Sequence, residues 1–304
     1  MSNVTKDISR RSFIRMSGAM AAALGLAACG PAQEGTTEST ANSDAGEAQN
    51  TTAAASTEFG SEGKLRVGME AAYAPYNWQE TAENEFTIPI DNVEGAYADG
   101  YDVQVAKMIG KALGLTPVAV KLEWDGLIDA LNGGQIDCII AGMTATDERK
   151  ESIDFTEPYY DGTYCLVVRK DGNYTNATSL ADFNGAAVLG QKDTLLDEMI
   201  DEIPGVNHLT PVKTVPNQIS QLAAGTCDAI TFDSANVPGV IRANPDFVGI
   251  VFEEGKGFSE SVPVNVGVAK GHDDVIAKMN KVLEAFTSEQ REKLLNEVVD
   301  RQPV

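Results

Sequence analysis

One nine-residue pattern occurs twice in this chain and restricts its fold more than any other feature: Leu131 to Ile139 reads L-N-G-G-Q-I-D-C-I, and Leu222 to Ile230 reads L-A-A-G-T-C-D-A-I. Both are L-x-x-G-x-x-D-x-I. In each copy an amphipathic helix stops on glycine and an aspartate enters the next strand. A polar residue waits at the far end of that strand, Thr144 after the first copy and Asp233 after the second. A helix that feeds a strand in this way is a unit of a mainly parallel α/β sheet. Ligands of open α/β sheets sit beyond the carboxyl ends of the strands, so two such units with facing ends make a cleft between lobes.

The surrounding pattern agrees. Leu65, Val67 and Gly68 predict a short strand, Val103, Ala106, Ile109 and Leu113 a helical stripe closed by Gly114, and Val118 to Leu122 a second strand. A strand at Tyr164 to Val168 runs into the turn-like step Arg169, Lys170, Asp171, Gly172. This places a first lobe at 64–168 plus 263–304 and a second at 169–262. Val264 to Ala269 predicts another strand, and two final helices (Val275, Ile276, Met279, Val282, Leu283, Phe286, then Leu294, Leu295, Val298) return to the first lobe. The lobes are then joined by two hinge strands.

The N-terminus gives an address. Ser9 to Arg15 reads S-R-R-S-F-I-R, an uncharged Ala/Gly-rich stretch follows, and Leu26, Ala27, Ala28, Cys29 close the segment. Residues 1–28 resemble a twin-arginine export signal that ends in a lipobox, with Cys29 the lipidated first residue of the mature chain. The apolar stretch is well short of the ~20 residues that span a bilayer, so attachment is expected through lipid on the outer face of a membrane. Residues 29–63 carry Glu34, Glu38, Asp44, Glu47, Glu58 and Glu62, no Lys or Arg, and Phe59 as their single large apolar side chain. They read as a flexible acidic tether.

Losing residues 1–28 removes Lys6, Arg10, Arg11, Arg15 and Asp7, which takes the formal net charge from −22 to −25. A nucleic-acid partner is excluded on that balance. Cys138, Cys165 and Cys227 lie in apolar runs without C-x-x-C spacing and read as small buried hydrophobes. No metal spacing involves His208 or His272, and no cofactor motif is present in the sequence.

Ala141 to Lys150, A-G-M-T-A-T-D-E-R-K, concentrates the binding chemistry. Gly142 lets another group approach the backbone, Thr144 offers a hydroxyl, and Arg149 offers a rigid fork that matches a carboxylate. Thr146, Asp147 and Glu148 have a purely structural reading as a helix cap and first turn.

Six segments together resemble family 3 solute-binding proteins, the polar amino-acid receptors of ABC importers. They are A-A-Y-A-P-Y (71–76), G-Y-D-V-Q-V-A-K-M-I (100–109), E-W-D-G-L-I-D-A-L (123–131), A-G-M-T-A-T-D-E-R-K (141–150), I-D-F-T-E-P-Y-Y (153–160) and C-D-A-I-T-F-D (227–233). The likeness spans nearly all of 64–304 and implies a two-lobed periplasmic-binding-protein fold that closes around a free L-amino acid.

By that resemblance, Arg149 takes the ligand α-carboxylate with help from Thr144 and backbone N–H near Ala141 and Gly142. Asp233 accepts the α-ammonium from the other lobe. Tyr73 and Trp124 flank the ligand side chain, and Glu70 faces it. Gln191, Thr194 and Leu195 occupy the place of a Gly-Thr loop that touches the carboxylate, but Asp193 stands where that glycine belongs, and an anion there is acceptable only if it points away. The implied ligand is a polar, cationic L-amino acid, the implied partner a membrane permease, and the expected state a monomer. The resemblance also leaves open a dehydratase-like enzyme or a sensory receptor on the same scaffold. An enzyme needs a positioned acid or base, and Glu70 is the one carboxylate with a place near the ligand side chain.

Overall fold

A computed structural model describes residues 58–259 and 261–303. The expected signal segment, Cys29 and most of the tether lie outside the described residues. Residues 58–63 do not belong to a free tether. Phe59 packs on the His272 ring with centroids 5.5 Å apart, and the Gly60 amide donates to the Asp137 carboxylate at 3.0 Å. The tether boundary expected at residue 63 therefore moves to Glu58 or earlier, because Phe59 has apolar surface to cover.

The chain starts with β1 (Lys64–Met69) and then forms a small meander of β2 (Ala72–Tyr73), β3 (Asn77–Glu80), β4 (Ile88–Pro89) and β5 (Tyr97–Asp99), in sheet order β2-β3-β5-β4. The meander contains the stretch 79–99. Arg301 fastens it from the C-terminus: its guanidinium donates to both Asp99 oxygens at 2.9 and 3.0 Å and lies 4.4 Å from the Phe86 ring centre. Next come α1 (Tyr101–Leu113), β6 (Thr116–Lys121), α2 (Leu127–Asn132), β7 (Cys138–Ile139), α3 (Asp147–Ser152) and the 17-residue β8 (Ile153–Arg169). β9 (Ala187–Leu189), α4 (Leu195–Glu198), β10 (Asn207–His208), α5 (Val215–Ala224), β11 (Ala229–Asp233), α6 (Val237–Ala243) and β12 (Phe247–Val251) form the second lobe. β13 (Ser261–Ala269), α7 (Asp273–Ala285) and α8 (Ser288–Arg301) bring the chain back to α1.

The strand order is β10-β9-β11-β8-β13-β7-β1-β6, with β12 also on β8. β1 runs parallel to β6 and β7, and β9 parallel to β10 and β11, so each lobe is built on parallel strands. β8 and β13 are the antiparallel connectors. Residues 153–163 of β8 ladder with β13, whereas residues 164–169 ladder with β11 and β12. The lobe boundary expected after Val168 is therefore too late. β8 is one uninterrupted strand that changes partners near Thr163, and the turn at Arg169 ends the strand rather than the lobe.

The repeated motif does the same work in both lobes. Asp137 accepts from the Arg66 amide at 2.7 Å at the start of β1, and Asp228 accepts from the Ala187 amide at 2.9 Å at the start of β9. Each aspartate thus satisfies a backbone donor and fixes the register of the neighbouring parallel strand. Asp137 also takes a bidentate fork from Arg66, at 3.0 and 2.7 Å. One apolar cluster includes Leu65, Val67, Ile109 and Ile139, and a second in the other lobe includes Phe183, Val188 and Ile200. Cys138, Cys165 and Cys227 are free and buried. Among the described residues, no helix is long and apolar enough to cross a membrane.

Candidate functional site

The polar loops converge because each follows a strand at its carboxyl end. Glu70 and Tyr73 follow β1, Trp124 follows β6, Gly142 and Thr144 follow β7, Gln191 to Leu195 follow β9, and Asp233 ends β11. The two lobes meet over a narrow cavity that is partly open to solvent. Nine of the residues singled out from the sequence line it: Glu70, Tyr73, Trp124, Gly142, Thr144, Arg149, Gln191, Thr194 and Leu195. Tyr164 and Leu196 line it as well. They were missed because Tyr164 reads as one residue of a core strand, and Leu196 as one apolar position of a short helix.

Arg149 is held from three sides. Thr146 caps α3 by accepting from the Arg149 amide at 3.2 Å, which aims the side chain back over the cleft. Nη1 donates to the Thr144 carbonyl at 2.8 Å and Nη2 to the Asp193 carbonyl at 3.3 Å, across the lobes. The guanidinium carbon lies 5.2 Å from the Trp124 ring centre. One face of Trp124 is therefore covered by Arg149, and its Nε1 donates to the Asp193 carbonyl at 2.8 Å. Burial lowers the Arg149 pKa from its ordinary value, with Glu198 the largest opposing influence.

Asp193 points away from the cavity, as its position demands. Its carboxylate pairs with Lys192 at 3.0 Å and is half exposed, while its carbonyl faces Trp124 and Arg149. Its φ of +60° lies in the left-handed region, which explains why a glycine suits this position. Thr194 caps α4 by accepting from the Asp197 amide at 3.2 Å.

Glu70 is buried, and Gln191 donates to it across the lobes at 3.0 Å. Burial pushes its carboxyl up to about 7. The Gln191 hydrogen bond works against that rise, while Glu123 and Asp125 add to it. The cavity therefore holds a buried acid and a half-buried guanidinium, a fit for a small zwitterion with a polar tail.

Two expectations change. The Gly142 amide donates to the Tyr159 hydroxyl at 3.1 Å, and Tyr159 donates to the buried Asp102 at 2.6 Å, so this amide is turned into the lobe rather than toward a ligand. Its φ of +65° produces that orientation. Ala141, at 2% exposure, supports the loop from beneath and does not line the cavity. Asp233 does not line it either. Its carboxylate is fully buried, accepts from the Tyr76 hydroxyl and from the Ala235 amide at 3.0 Å, and is pushed up to about 6 by burial. The capping role of Asp233 is thus present in this structure through Oδ1, and Tyr76 donates to Oδ2.

The sequence profile of the bacterial extracellular solute-binding proteins, family 3, matches residues 65–298. The chain belongs to this family. The L-arginine-binding protein of Pseudomonas aeruginosa is 30% identical to this solute-binding protein over 251 residues, covering 79% of this chain and 88% of the other. The L-cystine-binding protein TcyJ of Escherichia coli is 27% identical over 223 residues, covering 73% and 76%. The solved structure of holo ArgBP from T. maritima superposes with a TM-score of 0.61 at 29% identity, covering 75% of this chain and 93% of that one. The family is one of solute-binding proteins, and these similar proteins carry binding names rather than enzyme names.

Proposed function

We propose that this solute-binding protein captures an amino acid for an ABC importer, and that the ligand is a cationic L-amino acid held between Arg149 and Glu70. The observation that carries the reading is the pairing of a guanidinium and a buried carboxylate in one cavity closed by both lobes. Arg149 matches a carboxylate bidentately. Glu70 neutralises a cationic tail that would otherwise be costly to bury, while Tyr73 and Trp124 supply aromatic surface and a cation–π contact. Asp233 receives the α-ammonium once Tyr76 yields. Because the ligand's α-carboxylate and α-ammonium bind different lobes, closure and binding are coupled.

The arginine- and cystine-binding relatives support an amino acid with a long polar side chain. The export signal, Cys29 lipidation and monomeric state remain part of the same reading, with the lobes divided near Thr163 and a membrane permease as partner. Titration calorimetry against the common L-amino acids and cystine tests it: L-arginine, L-lysine or L-histidine binds tightest. Tight binding confined to aspartate or glutamate overturns the role of Glu70. Mass spectrometry of the mature protein checks for diacylglycerol on Cys29, and a Cys29→Ala chain released from membranes is the expected counterpart.

A further inference from the structure

The Tyr76 phenol is anchored in the first lobe by burial and by three neighbouring rings. It is 1% exposed, stacked on Tyr73 at 5.3 Å, and edge-on to Tyr101 and Tyr160 at 6.4 and 6.2 Å. The backbone around it is committed too, with the Pro75 and Tyr76 carbonyls each accepting at 2.9 Å from amides at the start of α1. The hydroxyl of this fixed ring donates to Asp233, which belongs to the other lobe.

Asp233 is enclosed on its remaining sides. Its own loop supplies the Ala235 amide at 3.0 Å and the Ser234 hydroxyl at 3.4 Å. The connector β8 passes so close that a Cβ at Gly162 would lie 2.3 and 2.6 Å from the carboxylate oxygens. The carboxylate is fully buried and absent from the cavity wall. An ammonium that reaches Asp233 therefore competes with the Tyr76 hydroxyl already bonded to its Oδ2.

We propose that the Tyr76 hydroxyl stands in for the ligand ammonium at Asp233, drawing the empty lobes shut and setting the strength of donor that a ligand must offer to replace it. This rests on the reading of Asp233 as the ammonium acceptor. A charged N–H to carboxylate bond is roughly twice as strong as one from a neutral donor, so an α-ammonium displaces the phenol. A neutral hydroxyl at the same carbon gains nothing by the exchange. Tyr76 thus filters for amino acids over the corresponding hydroxy acids. The cost is affinity, because protein that is closed and empty is not competent to admit ligand.

The test compares the mature wild-type chain with Tyr76→Phe, which keeps the ring and removes the hydroxyl. Small-angle scattering without ligand is expected to give a larger radius of gyration for Tyr76→Phe than for wild type, and the two converge when saturated with L-arginine. Calorimetry with L-arginine is expected to show two- to tenfold tighter binding to Tyr76→Phe, the range of one net hydrogen bond. Identical ligand-free scattering from the two proteins overturns the proposal, as does weaker binding to Tyr76→Phe. If Tyr76→Phe does not fold by circular dichroism, Asp233→Ala, which removes the acceptor, serves for the scattering arm: it is expected to open the empty lobes, and unchanged compactness refutes the latch. The same variant separates the two ideas, because undiminished L-arginine affinity in Asp233→Ala overturns the ammonium role while leaving the scattering result to judge the latch.

Discussion

Replacing Gly142 by alanine probes the site through its backbone. At φ +65° an L side chain costs about 1–2 kcal/mol. A Cβ there would also lie 2.9 Å from Tyr73 Cε1 and 3.3 Å from its Cδ1. Tyr73 cannot retreat freely, since it is 8% exposed and stacked on Tyr76. Overpacking of this kind costs a further ~1–3 kcal/mol. Gly95 isolates the first contribution: its φ is +69°, but a Cβ there meets nothing within 4 Å. With about 2–4 °C per kcal/mol for a body of this size, Gly95→Ala lowers the melting temperature by about 5 °C and Gly142→Ala by about 10 °C. Only Gly142→Ala weakens ligand binding, because only it moves a ring on the cavity wall. Differential scanning calorimetry with ligand titration reads both effects. Equal melting temperatures for the two variants, or unchanged affinity in Gly142→Ala, would refute the reasoning.

Four further outcomes follow from particular contacts. Arg149→Lys replaces a fork with a point charge and lowers affinity by about 10- to 100-fold, the value of one charge-assisted hydrogen bond, as read by calorimetry; an unchanged constant removes Arg149 from the site. Glu70 binds a proton more tightly folded than unfolded, about 7 against 4.5, so between those values the folded form holds the extra proton and ligand-free stability declines as pH rises. Affinity for a cationic ligand increases over the same window, while a neutral polar ligand shows no such rise. Gln191 is its hydrogen-bond partner, and Glu123 and Asp125 are its charged neighbours, so Gln191→Leu moves this profile to higher pH. Arg66→Ala leaves the buried Asp137 carboxylate without its fork and destabilises the fold by about 3–5 kcal/mol in denaturant melts; a loss under 1 kcal/mol would show the pair to be incidental. Asp193→Gly relieves a left-handed residue and raises the melting temperature by about 1–3 °C, with the Trp124 and Arg149 contacts to its carbonyl retained.

The cavity wall was more legible in the sequence than the fate of each polar atom. The chemistry of the run Ala141 to Lys150 marks Arg149, and the resemblance to family 3 proteins marks Glu70 and Gln191. Nothing local marks Tyr164, whose side chain reaches the cavity because β8 changes partners just before it. The Gly142 amide has the right type for an anion, yet its direction depends on Tyr159 and Asp102, 17 and 40 residues away. Asp233 likewise keeps its capping bond through Oδ1, while its Oδ2 accepts from Tyr76, at a separation of 157 residues.

The sequence by itself determined the helix-to-strand units, their glycine stops, the Thr146 cap and the two strand-entering aspartates. Each depends on backbone propensities and hydrogen bonds made within, or next to, one element. Tertiary structure decided where the lobes divide, since β8 carries no break and only its change of partners marks the crossing. It also decided that Asp193 offers its carbonyl instead of its charge, and that Tyr76 donates to Asp233 across the lobes. Those outcomes depend on which surfaces approach when two lobes close, and no periodicity along the chain encodes that approach.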